Sequence, residues 1–351
     1  MLSNETKNIL IYSGAFNPPH IGHLKIVLNT INALHFDGEI IINIDKHSPW
    51  KKDGDLVPYS YRKNMLINLF GKTFNYSIYE NKKNLVYARD IIEDIKNKYP
   101  IANLYYLVGE DQYKLIEKWE DYLTFNNFVI IVCHCRSNHK KIKQIDPKHE
   151  IVYDQYIPCD SATIKKTLAV KYLGNKNLDY IKKNHLYLQY KIADMLTEHR
   201  YQHTLRVLDT ITTIAYANLF SEQDILRAQI AAILHDIAKS WEHEQYLKLF
   251  SPSFLKIFPS FHCAHGHAAA EIAKTKFKIT DNIILDALRN HVIYKDNSNN
   301  KIAKALYCAD KLEPARLPTD ITNREELLEE CCKNLNKGFV SVLKANTEKY
   351  K

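Results

Sequence analysis

The sequence predicts an α/β doubly wound, Rossmann-like domain over residues 1–188, followed by an all-α domain over 189–351. Short β-branched runs alternate with amphipathic helical patterns as far as Ile157, the rhythm of a parallel sheet covered on both faces. After Gln189 the strand-like runs disappear and the helical period takes over. At 351 residues the chain is too long for one ordinary core and long enough for two.

In chain order, Ile9 to Tyr12 reads as a first strand and Leu24 to Leu34 as the helix after it. Glu39 to Lys46 has the continuous β-branched run of a buried parallel strand. A helix from Tyr59 to Phe70, a strand from Tyr76 to Tyr79, a helix from Val86 to Lys98 and a strand from Leu104 to Val108 are expected next. Two further strands are expected at Phe128 to His134 and Ile151 to Ile157.

Between the first strand and the first helix lies GAFNPPHIGH, Gly14 to His23. Gly14 lets backbone approach a ligand closely, and Pro18 and Pro19 fix φ and remove two amide donors. His20 and His23 are three apart, so both imidazoles can face the positive end of the helix, a place for a polyanion.

Composition restricts the partners. Apolar residues make up 46% of the chain, and the net charge of +8 is dispersed without a long basic run, so no specific nucleic-acid partner is expected. No apolar run approaches the ~18 residues of a membrane helix and MLSNETKN lacks a signal-peptide core, so no membrane contact and a cytoplasmic location are expected. The seven cysteines include Cys133 with Cys135 and Cys331 with Cys332, neither spaced as C-x-x-C, and read as reduced thiols.

With every position of G-x-F-x-P-x-H-x-G-H filled, the chain resembles the nucleotidyltransferase superfamily. The resemblance implies that Gly14, Phe16, His20 and His23 bind ATP, and that the two histidines act catalytically on charge developing on the triphosphate. VGEDQYKLIEKW and the lysines after the second strand narrow the resemblance to nicotinate mononucleotide adenylyltransferases. That family implies ATP contacts from Gly109 and Asp111, and nicotinate mononucleotide contacts from Lys51, Tyr87, Trp119 and Arg136. DSATIKKTL resembles the second superfamily signature, with Ser161 and Lys165 on the ATP phosphates. Ser161 is also expected to cap its helix. Lys165 stands where the family usually has Arg, and Ala88 follows Tyr87 where Thr is common. NLDYIKKNHLYL, Asn177 to Leu188, resembles that family's closing helix. ATP with Mg2+ and nicotinate mononucleotide are the implied partners.

In the second half, His203, His235, Asp236, His265, His291 and Asp310 each lie in or beside an apolar helical pattern. An ionisable group there costs free energy unless it is paired or bound to a metal. Imidazole and carboxylate together suit divalent Fe, Mn, Co or Zn. The order H…HD…H…H…D resembles the HD-domain metal-dependent phosphohydrolases. It implies two divalent metals, Fe above Mn or Co, one at His203, His235, Asp236 and Asp310 and a second at His265 and His291 with Asp236 as bridge. HTLRV, LHDIAK, AHGHAAAEIA and ADKLEPAR narrow it to bacterial symmetrical bis(5'-nucleosyl)-tetraphosphatases, which cut diadenosine tetraphosphate into two ADP. Asp236 and Lys239 take the catalytic roles, and Arg206, Glu313 and Arg316 are candidates around the phosphates or ligands. The alternatives are another nucleotide, such as a guanosine alarmone, or a nucleotide-sensing module without turnover.

Overall fold

A computed structural model describes residues 6–46, 53–119, 122–135, 142–153, 160–294, 299–316 and 321–348. The chain divides into two compact units, 1–50 with 59–181, and 51–58 with 182–351. Among the described residues, no helix is long and apolar enough to cross a membrane.

The first unit is a six-stranded sheet in the order β3-β2-β1-β4-β5-β6. Its strands are β1 (Asn8–Gly14), β2 (Glu39–Ile44), β3 (Tyr76–Ile78), β4 (Asn103–Gly109), β5 (Val129–Cys135) and β6 (Glu150–Tyr153), all paired in parallel. The helices are α1 (Ile21–Ala33), α2 (Tyr59–Phe70), α3 (Ala88–Lys98), α4 (Glu110–Tyr113), α5 (Tyr122–Asn126), α6 (Ser161–Thr167), α7 (Val170–Leu173) and α8 (Asn175–Lys183). Alternation along β1 builds both layers. Ile9 and Ile11 pack with Ile91, Ile92 and Ile95 of α3, while Leu10 and Tyr12 pack with Val27 of α1 and Leu66 and Phe70 of α2. The strand order reverses between β1 and β4, so the crevice of an open α/β sheet falls at their carboxyl ends. Gly14 ends β1 and Gly109 ends β4.

The alternation read from sequence is observed for the elements named there; α4, α5 and α7 are additional to it, and three further differences stand out. α3 begins at Ala88 rather than Val86, because Tyr87 is extended (φ −89°, ψ 144°) and stands outside the first turn. α8 stops at Lys183, and His185 and Tyr187 turn left-handed (φ 53° and 61°), so no single helix runs from Asn177 to Leu188. Of the expected strand at Ile151 to Ile157, the part after Tyr153 lies outside the described residues.

The second unit is helical: α9 (Leu188–Ile192), α10 (Glu198–Ala217), α11 (Glu222–Leu234), α12 (His243–Leu247), α13 (Pro252–Leu255), α14 (His265–Thr275), α15 (Asn282–Asn290), α16 (Lys301–Leu312), α17 (Arg324–Lys333) and α18 (Leu335–Glu348). Residues from the loop after β2 pack within it. Gln229 donates to the Leu56 carbonyl (3.0 Å) and Tyr190 to Asp55 (2.9 Å).

A polar chain fixes residues 145–149, just before β6. The Tyr113 hydroxyl accepts the Ile145 N–H (3.0 Å) and donates to His149 Nδ1 (3.0 Å), while His149 Nε2 donates to Asn126 Oδ1 (2.9 Å). His149 is buried and its partners suit only the neutral ring, so burial pushes its pKa below 6.5. The unfolded chain then binds the extra proton, so this stabilisation is whole above pH 6.5 and is lost as pH falls. Denaturant titrations at pH 7.5 to 5 should show wild type losing stability faster than His149→Gln, by at most about 1.4 kcal/mol per pH unit.

Candidate active sites

In the first unit the loop after β1 is held from several sides. Asp45 N–H donates to the Gly14 carbonyl (3.0 Å), and Arg62 of α2, 0% exposed, donates to the Ala15 carbonyl (2.6 Å). These contacts support a left-handed Phe16 (φ 46°), whose buried ring packs on Tyr12 (5.4 Å) and His23 (5.0 Å). A Cβ on Gly14 would sit 3.4 Å from that ring, so a larger residue would press on it.

His20 precedes α1 as its N-cap and His23 lies in its first turn, with ring centroids 3.8 Å apart. His23 Nδ1 accepts the His20 backbone N–H (3.1 Å), which leaves Nε2 of His23 as its other polar atom. The first amides of a helix have no partner within it, so this end of α1 joins partial positive charge to two imidazoles.

α6 brings the second motif to the first: Ser161 Oγ donates to the Pro18 carbonyl at 3.3 Å. The expected helix cap at Ser161 is corrected. Asp160 caps α6 instead, accepting the Thr163 N–H at 2.8 Å, because it stands one residue earlier in extended conformation. Lys165 is buried on α6, 5% exposed. Gly109 caps α4, Asp111 is exposed in its first turn, and Tyr87 is 53% exposed. Trp119 is half-buried, edge-on to Tyr106 (6.3 Å) and near Phe125 (6.3 Å). Lys51 and Arg136 lie outside the described residues.

In the second unit six residues from five segments converge. His203 comes from α10, His235 and Asp236 follow α11, His265 opens α14, His291 follows α15, and Asp310 lies on α16. All six are buried. His203 and His235 meet through Nε2 (3.3 Å), as do His265 and His291 (3.1 Å). Asp236 stands between the pairs. Its Oδ2 lies 3.6 and 3.7 Å from His203 and His235 Nε2, and its Oδ1 lies 3.2 and 3.7 Å from His265 and His291 Nε2. Asp310 Oδ1 completes the first group, 3.1 Å from His203 Nε2 and 3.7 Å from that of His235.

Local structure fixes which nitrogen faces inward. His235 Nδ1 donates to Ala232 O (2.7 Å) and His291 Nδ1 to Leu288 O (2.7 Å), carbonyls at the ends of α11 and α15 that lack a helical partner. His265 Nδ1 donates to His262 O at 2.6 Å. A carbonyl only accepts, so each Nδ1 carries the proton and each Nε2 offers a lone pair. Burial pushes the pKa down to about 3 for His235 and about 4 for His265, so both rings are neutral near pH 7. Burial disfavours the charged forms of Asp236 and Asp310, but His235, among other partners, holds the first well below the carboxylate range, and Lys311 and Arg316 hold the second there. Imidazole nitrogens and carboxylate oxygens with donor atoms within 4.8 Å in each of the groups His203, His235, Asp236 and Asp236, His265, His291 fit divalent metal ions.

Basic side chains surround this centre. Arg200 reaches Asp236 Oδ2 (3.3 Å), Lys311 reaches Asp310 Oδ2 (2.5 Å), Arg316 contacts Asp310 Oδ1, and Lys239 Nζ lies 3.3 Å from His265 Nε2. Burial lowers the Lys239 pKa.

Comparison with known proteins agrees with this division. A cytidylyltransferase-like family model matches residues 11–166 and an HD-domain model matches 200–315. A probable nicotinate-nucleotide adenylyltransferase of Nitratiruptor is 32% identical over 151 residues, covering 41% of this chain and 83% of its own. The chain belongs to the nicotinate-nucleotide adenylyltransferase family. It also carries an HD domain. A probable nicotinate-nucleotide adenylyltransferase/Ap4A hydrolase of Mycoplasma genitalium is 27% identical over 352 residues, covering 96% of this chain and 97% of its own. A Mycoplasma pneumoniae protein of the same name is 26% identical over 313 residues, covering 88% of this chain and 89% of its own.

Three residues escaped the sequence reading. Arg62 of the adenylyltransferase domain had a signal, since a lone charge shares a helical stripe with Met65, Leu66 and Phe70. Arg200 of the HD domain had none, because one more arginine on a helix resembles surface charge. Gly266 shows its purpose only in three dimensions. A Cβ there would stand 2.6 Å from the Leu288 carbonyl and 3.2 Å from the His291 ring. Gly266→Ala should push His291 out of line: elemental analysis should find about one divalent ion fewer per chain than in wild type, with helical circular dichroism retained.

Proposed function

We propose that the chain is a bifunctional cytoplasmic enzyme, with adenylyl transfer carried by residues 1–188 and phosphoanhydride hydrolysis by 189–351. In the first reaction a phosphate oxygen of nicotinate mononucleotide attacks the α-phosphorus of ATP. The bond from that phosphorus to the bridging oxygen breaks, and pyrophosphate leaves with its Mg2+. Such transfer depends on positioning and on positive charge aimed at the departing phosphates. His20, His23 and the amino end of α1 supply that charge, Ser161 and Lys165 close over it, and Gly14 and Phe16 shape the loop. Gly109 and Asp111 hold the adenosine, and Lys51, Tyr87, Trp119 and Arg136 hold the mononucleotide. The observation that carries this reading is the Ser161 to Pro18 hydrogen bond of 3.3 Å, which joins the two motifs at one crevice.

In the HD domain the proposed substrate is diadenosine tetraphosphate, split by water at its central anhydride into two ADP. His203, His235, Asp236 and Asp310 would hold one divalent ion, and Asp236, His265 and His291 a second, iron by preference. When bound, the pair supplies Lewis-acid charge that activates water and neutralises phosphate oxygens. The chain's residues orient the polyphosphate: Lys239, Arg200, Lys311 and Arg316 are the cations within reach of it. The split of Asp236 between two histidine pairs supports this reading.

Assaying both reactions on two variants tests the proposal. His20→Ala should lower adenylyl transfer by about 10²-fold or more and spare the hydrolase, and Asp236→Ala should do the reverse. ATP and AMP as products from diadenosine tetraphosphate, in place of ADP alone, would overturn the symmetrical cleavage.

A further inference from the structure

The two metal positions of the HD domain differ in ways that chain chemistry makes unequal. The first group offers two carboxylates, Asp236 Oδ2 and Asp310 Oδ1, beside two imidazoles. The second offers one carboxylate oxygen, Asp236 Oδ1, beside two imidazoles. Oxygen anions supply most of the Coulomb attraction for a divalent ion, so the first group has the larger share.

The histidines differ as well. His235, His265 and His291 donate Nδ1–H to neutral backbone carbonyls. His203 alone donates it to a carboxylate, Glu313 Oε1, at 3.1 Å. Glu313 is itself fixed by Arg206 Nε (2.6 Å) and the Ala315 N–H (2.8 Å), and is 2% exposed. An anion behind an imidazole raises the basicity of its far nitrogen, and losing such a partner typically costs 10- to 100-fold in metal affinity. Basic side chains touch ligands at both positions, three at the first (Arg200, Lys311 and Arg316) and one at the second (Lys239); they offset part of the first position's extra carboxylate charge, whereas the Glu313 contact behind His203 has no counterpart at the other three histidines.

Resting on the dinuclear reading above, we infer that the position of His203, His235, Asp236 and Asp310 fills first and tightly, that the position of Asp236, His265 and His291 fills second and exchanges, and that Glu313 is the positioning residue responsible for much of the difference. At limiting metal the chain is then mononuclear.

The test strips the full chain with a chelator and adds Mn2+ stepwise, following free ion by its electron paramagnetic resonance signal. Wild type should bind one equivalent and then another, with Kd values at least about tenfold apart. Glu313→Gln should weaken the first step by about tenfold or more and leave the second, whereas His265→Ala should remove the second and keep the first. If Glu313→Gln does not fold, Arg206→Gln loosens the same carboxylate and should act in the same direction. Two equivalents bound in one step of equal affinity would overturn the inequality alone, and a Glu313→Gln chain binding like wild type would overturn the role of Glu313. No bound Mn2+ in wild type would overturn the dinuclear reading with it.

Discussion

A single carboxylate organises the helical unit. Asp236 is 3% exposed, and a buried anion without partners would cost several kcal/mol. Its two oxygens face different histidine pairs, so four imidazoles on four helical segments are drawn to one point. Each of those rings is buried too, and each satisfies its outward nitrogen before presenting the inward one. The helix ends perform this task twice: α11 and α15 finish with unpaired carbonyls, and a histidine just beyond each end takes one. Tautomer choice, and with it the donor set, follows from where the helices stop.

The first unit solves a similar problem with the opposite sign. Its loop after β1 holds a proline-stiffened path in front of the amino end of α1. A left-handed Phe16 is costly by itself, and it is over-determined by ring packing on Tyr12 and His23 and by two donors, Asp45 N–H and the Arg62 guanidinium. Arg62 is completely buried, and the hydrogen bond from its Nη1 to the Ala15 carbonyl offsets part of the cost of burying the charge. Rigid placement of the loop gives α1 a fixed approach, and phosphoryl transfer gains most from that kind of preorganisation.

The fold was legible because it rests on periodicity. Parallel strands buried on both faces must be continuously apolar, as EIIINI is, and helices on one layer must repeat at 3.6 residues, so the alternation shows in one dimension. Motif residues were legible where the chemistry restricts residue type, as with histidines and aspartates on apolar stripes. Capping at Ser161 was misread because Ser and Asp both cap well, and the backbone at Asp160 decided between them. The end of α8 was misread because a left-handed His185 has no reliable side-chain signature.

What the sequence determined by itself was the order of the strands and helices, the two-domain division and the identity of the candidate ligands, since each is a property of composition and spacing along the chain. Tertiary structure alone decided that Glu313 stands behind His203, that Gly266 makes room for His291, and that Arg62 grips the Ala15 carbonyl. Those relations join residues on different elements, between 25 and 110 positions apart in most cases, and their free energies depend on burial and direction in space.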